Sequence, residues 1–127
     1  MSKSYLPVFR PGDTVTFAVT TAVTAGQLVE VGTADRSVAP ASAGSAKVVG
    51  VAGHDAAIGD LVTIEVGKPI HLLTADGSIA RGARVAAAAD GAVATVSEPG
   101  EGEAAPAVYG LALGSAVDGA AVEILQF

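Results

Sequence analysis

The first histidine of the sequence sits beside an aspartate in VVGVAGHDAAIGDLVTI, residues 48–64, with Gly50 and Gly53 before the pair and Gly59 after it. An imidazole oriented by a carboxylate can act as a general base. Neighbours in an extended chain point to opposite faces, however, so the Asp55 carboxylate is not directed at the ring of His54. The Gly50-x-x-Gly53 spacing has the small residues of a phosphate cradle. It lacks the Lys-Ser/Thr of a P-loop and the third glycine of a dinucleotide fold. His71 lies in the strand-like KPIHLL with no carboxylate at ligand spacing, and is expected at an exposed or subunit-contact position. Glu98, Glu101 and Glu103 in SEPGEGEAAP, residues 97–106, have the chemistry of a calcium chelate. The Pro and Gly around them point instead to a loop. The chain has no cysteine, which removes thiolate nucleophiles, zinc thiolates and disulfides and leaves the redox compartment open. The expectation is a protein without catalytic residues, cofactor or metal, and not an enzyme.

Those residues must be held by β structure. From Asp13 the segment TVTFAVTTAV alternates, with Val15, Phe17 and Val19 on one side and Thr14, Thr16 and Ala18 on the other, which is the period of a strand. Further strands are expected at Leu28–Val31, in KVVGVAG, and over 61–66, 70–73, 84–88, 92–97, 108–113 and 121–127. The stretch DRSVAPASAGSA is expected to be a polar loop. Asp76-Gly77 and Asp90-Gly91 carry the chemistry of two-residue hairpin turns. Turns every 8 to 12 residues predict an all-β small barrel or sandwich with hairpins. IARGARVAAAAD is the one stretch whose alanines favour a helix, and at most one short helix is expected there.

A repeat accounts for the glycines. Residues 48–64 lie without a gap over VYGLALGSAVDGAAVEI, residues 108–124, with seven of 17 positions identical, among them Gly50/Gly110, Gly59/Gly119, Val62/Val122 and Ile64/Ile124. His54-Asp55 is replaced by Gly114-Ser115. A shorter form, Gly-x-x-Val, recurs at Gly26, Gly59, Gly82 and Gly119. Gly12, Gly26, Gly50, Gly59, Gly82, Gly110 and Gly119 are therefore expected at turns and packing positions of a repeated β unit.

At 127 residues the chain is read as an arm over 1–12 and a single β domain over 13–127. Half of it is apolar but only 4% is aromatic, and the mean hydropathy of +0.53 is high for a soluble monomer. Part of that apolar surface is expected to be covered by another chain. The net charge of −6 and scattered Lys and Arg disfavour nucleic acid, and no stretch suits a membrane span or signal peptide. Residues 1–12 carry Lys3 and Arg10 and no acid, whereas beyond Arg84 there are six acids and no base. In MSKSYLPVFRPG two prolines hold the chain extended. Tyr5, Leu6, Pro7, Val8, Phe9 and Arg10 are thus expected to bury themselves on a partner.

The order Gly12-Asp13-Thr14-Val15-Thr16, VTAGQLVEVG (23–32), VVGVAGHDAAIGDLVTIEVGK (48–68), ARGARVAAAADGAV (80–93) and VYGLALGSAVDGAAVEILQF (108–127) resembles the small cement, or decoration, proteins of tailed bacteriophages. The resemblance covers nearly the whole chain. It implies a β-rich protein on the outer capsid surface of a virion, made in the host cytoplasm, that binds major capsid protein and itself as a homotrimer, and stabilises contacts between capsid subunits. A small carbohydrate- or host-surface-binding β module is the alternative. It would need exposed aromatics, of which Tyr109 is the obvious one outside the arm and core.

Overall fold

The computed structural model describes residues 14–66, 70–96 and 107–126. The expected arm, Gly12 and the acidic 97–106 stretch lie outside these residues. Along the described chain run β1 (Thr14–Val19), β2 (Leu28–Val31), β3 (Ser37–Pro40), β4 (Val48–Ala52), β5 (Leu61–Glu65), β6 (Ile70–Thr74), β7 (Arg84–Ala87), a 3₁₀ turn (Ala89–Gly91), β8 (Val93–Thr95), β9 (Gly110–Ala112) and β10 (Ala121–Gln126). The protein is all-β.

The first five strands close a barrel in the order β1-β3-β2-β4-β5. β1 runs antiparallel to β5, from Thr14 opposite Glu65 to Ala18 opposite Leu61, and parallel to β3 through Ala18/Ser37 and Val19/Val38. Alternation drives this closure: Val15 and Val19 of β1 and Val62 and Ile64 of β5 turn inward, while Thr14, Thr16, Ala18 and Leu61 face out. The interior is aliphatic and largely β-branched, with Val19, Val23, Val29, Val38, Val62 and Ile64 in one cluster. Such side chains pack well on a pleated surface.

The remaining strands form a second sheet in the order β6-β10-β9-β7-β8. Its two edges meet at one parallel bridge, Ala75/Val93. Strand for strand it copies the first barrel: β6 stands where β1 does, β7 for β2, β8 for β3, β9 for β4 and β10 for β5. The hydrogen bonds repeat too. Val23 and Ala56 exchange both backbone bonds, as do Ile79 and Ala116, and Gly26 donates to Ala52 as Gly82 donates to Ala112. Equivalent residues are 56 apart in the early strands and 60 apart in the later ones, so the offset lengthens across the stretch that includes the acidic segment.

The halves pack through the outer side of β2 and β4. Leu28, Ala41 and Val51 join the cluster of Leu73, Ile79, Val85, Val93, Val122 and Ile124 that fills the second half. Gly91 approaches Leu28 so closely that a Cβ there would stand 2.8 Å from the Leu28 carbonyl oxygen.

Two local expectations are corrected, and two hold. The stretch read as a polar loop contains β3, whose Val38 is fully buried; Pro40 and the flanking serines disguise a short strand that pairs in parallel with a distant partner. Asp76-Gly77 makes a positive-φ turn at Gly77 but joins no hairpin, because β6 lies beside β10 rather than β7. Asp90-Gly91 does turn the β7–β8 hairpin, with both residues at positive φ (56° and 74°). Arg84–Ala87 is strand, and helical geometry in that region is confined to the 3₁₀ turn.

Candidate functional site

His54 and Asp55 are occupied in holding their own loop. The Thr63 amide donates to His54 Nε2 at 3.1 Å, which leaves the proton on Nδ1, and Nδ1–H donates to the Asp55 carbonyl at 2.9 Å. The Asp55 carboxylate accepts from the Ala25 amide at 2.8 Å. In the second half Ser115 takes the place of Asp55 and accepts from the Arg81 amide at 3.0 Å. The pair thus pins a loop between β4 and β5 to the β1–β2 loop. His54→Ala removes one acceptor at an exposed site and is expected to cost about 1 kcal/mol. Thermal unfolding checks this as a fall in Tm of about 4 °C.

His71 is buried, contrary to the expected exposed or contact position, and so is Tyr109. Gln126 Oε1 accepts from Tyr109 Oη–H at 3.1 Å and from His71 Nε2–H at 3.2 Å. Burial pushes the His71 pKa down, against the opposing pull of the Gln126 hydrogen bond and the Glu65 charge. Burial likewise pushes the Tyr109 phenol well up. These three residues stand where the first half has Val15, Val49 and Val66, so the second copy carries a polar cross-link at an apolar position of the first.

A concavity of about 530 Å³ lies beside β2 and β3 and is lined by Thr20, Glu30, Pro40, Ser42, Lys47 and Asp90 among others. Burial alone would raise the Glu30 pKa, but hydrogen bonds from the Ser42 amide and from the Ser45 and Ser42 hydroxyls, with the Lys47 ammonium, hold it below its usual value. The carboxylate accepts from Ser42 N and Oγ at 2.9 and 3.0 Å and lies 3.7 Å from Lys47 Nζ. Its charge is spent on the loop and is not directed at a ligand. Among the described residues no group of three or more His, Asp or Glu side chains is arranged to hold a metal.

What remains available is surface. The outward row across the second sheet reads Ile70, Leu125, Leu111, Arg84, on β6, β10, β9 and β7. In the next row Leu72 stands opposite Glu123. A family model described as phage cement protein matches residues 9–125.

The chain belongs to the phage cement protein family.

Among solved structures, this cement protein is similar to the crystal structure of the head fiber gp8.5 N base in bacteriophage phi29, with a TM-score of 0.72, 20% identity and coverage of 90% of this chain and 92% of that one. No curated protein matches it in sequence. The family and the shared fold support a structural role at a phage capsid.

The expected glycines divide by cause in this cement protein. Gly26, Gly59, Gly82 and Gly119 turn the chain at φ between 80° and 89°. Gly50 and Gly110 are not at turns. They lie in β4 and β9, where an added Cβ would collide with the carbonyl oxygens of Glu65 and Leu125, respectively. Sequence reasoning missed the His71–Gln126–Tyr109 cross-link, whose members are far apart in the chain. It also missed the exposed row, although Ile70 and Leu72, two apart in a strand, carried its signal.

Proposed function

We propose that this cement protein decorates the outer surface of a phage capsid as a homotrimer and holds neighbouring major capsid protein subunits together. The family match over residues 9–125 carries the reading. In this reading residues 13–127 act as one β domain, and Tyr5, Leu6, Pro7, Val8, Phe9 and Arg10 form an arm that extends over capsid subunits. The arm adds main-chain hydrogen bonds to a sheet edge and places Leu6, Val8 and Phe9 in apolar recesses. Several contacts per trimer then act together. The carbohydrate alternative loses its main support, because among the described residues Phe17 is half-buried and Tyr109 buried, leaving no aromatic platform for a sugar ring. Deletion of residues 2–10 is expected to weaken binding to expanded capsids by on the order of 100-fold. If the truncated protein decorates as well as the intact one, the arm has no such part.

A further inference from the structure

The duplicated fold supplies its own comparison. In the first half the outward row across β1, β5, β4 and β2 is Thr14, Glu65, Val51, Leu28. In the second half the equivalent row is Ile70, Leu125, Leu111, Arg84. One row further along, Thr16 and Thr63 of the first half are matched by Leu72 and Glu123 of the second. The first row is polar where it meets solvent, and its apolar end is covered, with Val51 5% and Leu28 0% exposed against the second half. In the second half the β6 side chains that meet solvent at the matching positions are apolar, with Ile70 58% and Leu72 64% exposed. Leu113, opposite Glu123, is 38% exposed beside them.

The same backbone therefore forms with threonines on this face, and the barrel does not need leucine and isoleucine there. Exposed aliphatic side chains grouped on one sheet face mark a contact surface. The charges on the face indicate its occupant. Among the described residues it holds one acid, Glu123, and one base, Arg84, on different strands, and neither makes an ion pair with another of them. With Glu123 on β10 between Leu72 and Leu113, and Arg84 on β7 to one side, copies can meet in a closed ring: Arg84 of one copy reaches Glu123 of the next while the leucines pack around the pair. An acidic partner would repel Glu123, and a basic one would repel Arg84.

We propose that the β6–β10–β9–β7 face is where copies of this chain meet, with Arg84 of one copy paired to Glu123 of its neighbour in a contact made by Ile70, Leu72, Leu111 and Leu125. This deepens the self-association in the proposed function and rests on it.

Sedimentation equilibrium and native mass spectrometry of the full chain test the proposal, with circular dichroism confirming that each variant is folded. Leu72→Glu is expected to weaken association by on the order of 100-fold, because it buries a second carboxylate within the contact, opposite Glu123. Thr16→Glu, at the equivalent position of the first half, is expected to leave association unchanged. Glu123→Arg alone is expected to weaken association about 10-fold, and Glu123→Arg with Arg84→Glu to restore it to within about 3-fold. An oligomer that survives both Leu72→Glu and Glu123→Arg overturns the assignment of this face. So does equal loss from Thr16→Glu, or failure of the double reversal to restore binding. A wild-type chain that stays monomeric at every concentration overturns self-association itself. Binding of the same samples to expanded capsids reports separately on the capsid role.

Discussion

Gly50→Ala and Gly110→Ala are each expected to destabilise the fold by about 3 kcal/mol or more, although each adds a single methyl group. At both positions the added Cβ would collide with a backbone carbonyl oxygen, that of Glu65 or of Leu125. It would also press on the neighbouring isoleucine, with Ile64 Cγ2 at 3.0 Å in one half and Ile124 Cγ2 at 2.8 Å in the other. A flexible side chain can move away from a new methyl, but a backbone oxygen fixed in a ladder cannot move without parting two strands. Gly59→Ala and Gly119→Ala provide the contrast. Nothing lies within 4 Å of their Cβ positions, and the cost there is that of a left-handed backbone, about 1–2 kcal/mol. Urea unfolding of the four variants should rank the two strand glycines as the more damaging pair. The reverse ranking would mean that the strands separate easily at these crossings.

Gln126→Val should cost about 3 kcal/mol, because it leaves both the Tyr109 hydroxyl and the His71 Nε2–H buried without an acceptor. The first half builds the same corner from Val15, Val49 and Val66, so removing all three polar groups should be far less harmful than removing one. The triple change His71→Val, Tyr109→Phe, Gln126→Val is expected to recover most of the loss. It also changes the pH dependence. His71 has a folded pKa below its unfolded value of about 6.5, so the unfolded chain binds the proton more readily. The stability from keeping the ring neutral is complete above about pH 6.5 and is lost as pH falls through the folded value. Denaturation midpoints measured from pH 8 down to pH 4.5 should show this loss in the wild type. In the triple variant the His71 contribution should be gone, and an unchanged slope would place the proton elsewhere.

The strand pattern was legible where alternation was strong, as in TVTFAVTTAV. It failed at β3, where Ser37, Val38 and Pro40 carry too short an alternation and the parallel partner is remote in sequence. The later part of the duplication was visible because Gly50, Gly59, Gly110 and Gly119 resist substitution for backbone reasons. Its earlier part was hidden. Between residues 14–31 and 70–87 only Gly26/Gly82 and Val29/Val85 are identical, since inward positions need only an aliphatic side chain of suitable volume and outward ones need still less. The resemblance carried the functional class. The exposed row emerged only when the two halves could be laid over each other, because an apolar residue in a strand does not announce which face it occupies.

The barrel and the second sheet also differ in how their edges are fastened. Among the described residues the barrel is closed along β1 and β3 by two residue pairs, whereas the edges of the second sheet meet at the single bridge between Ala75 and Val93. Load directed across that seam would fall on one backbone bridge before the longer ladders share it, so the second sheet is expected to be the more compliant of the two. In the proposed capsid role, neighbouring subunits would be tied by a stiff unit and a yielding one in series, and strain would gather first at that seam.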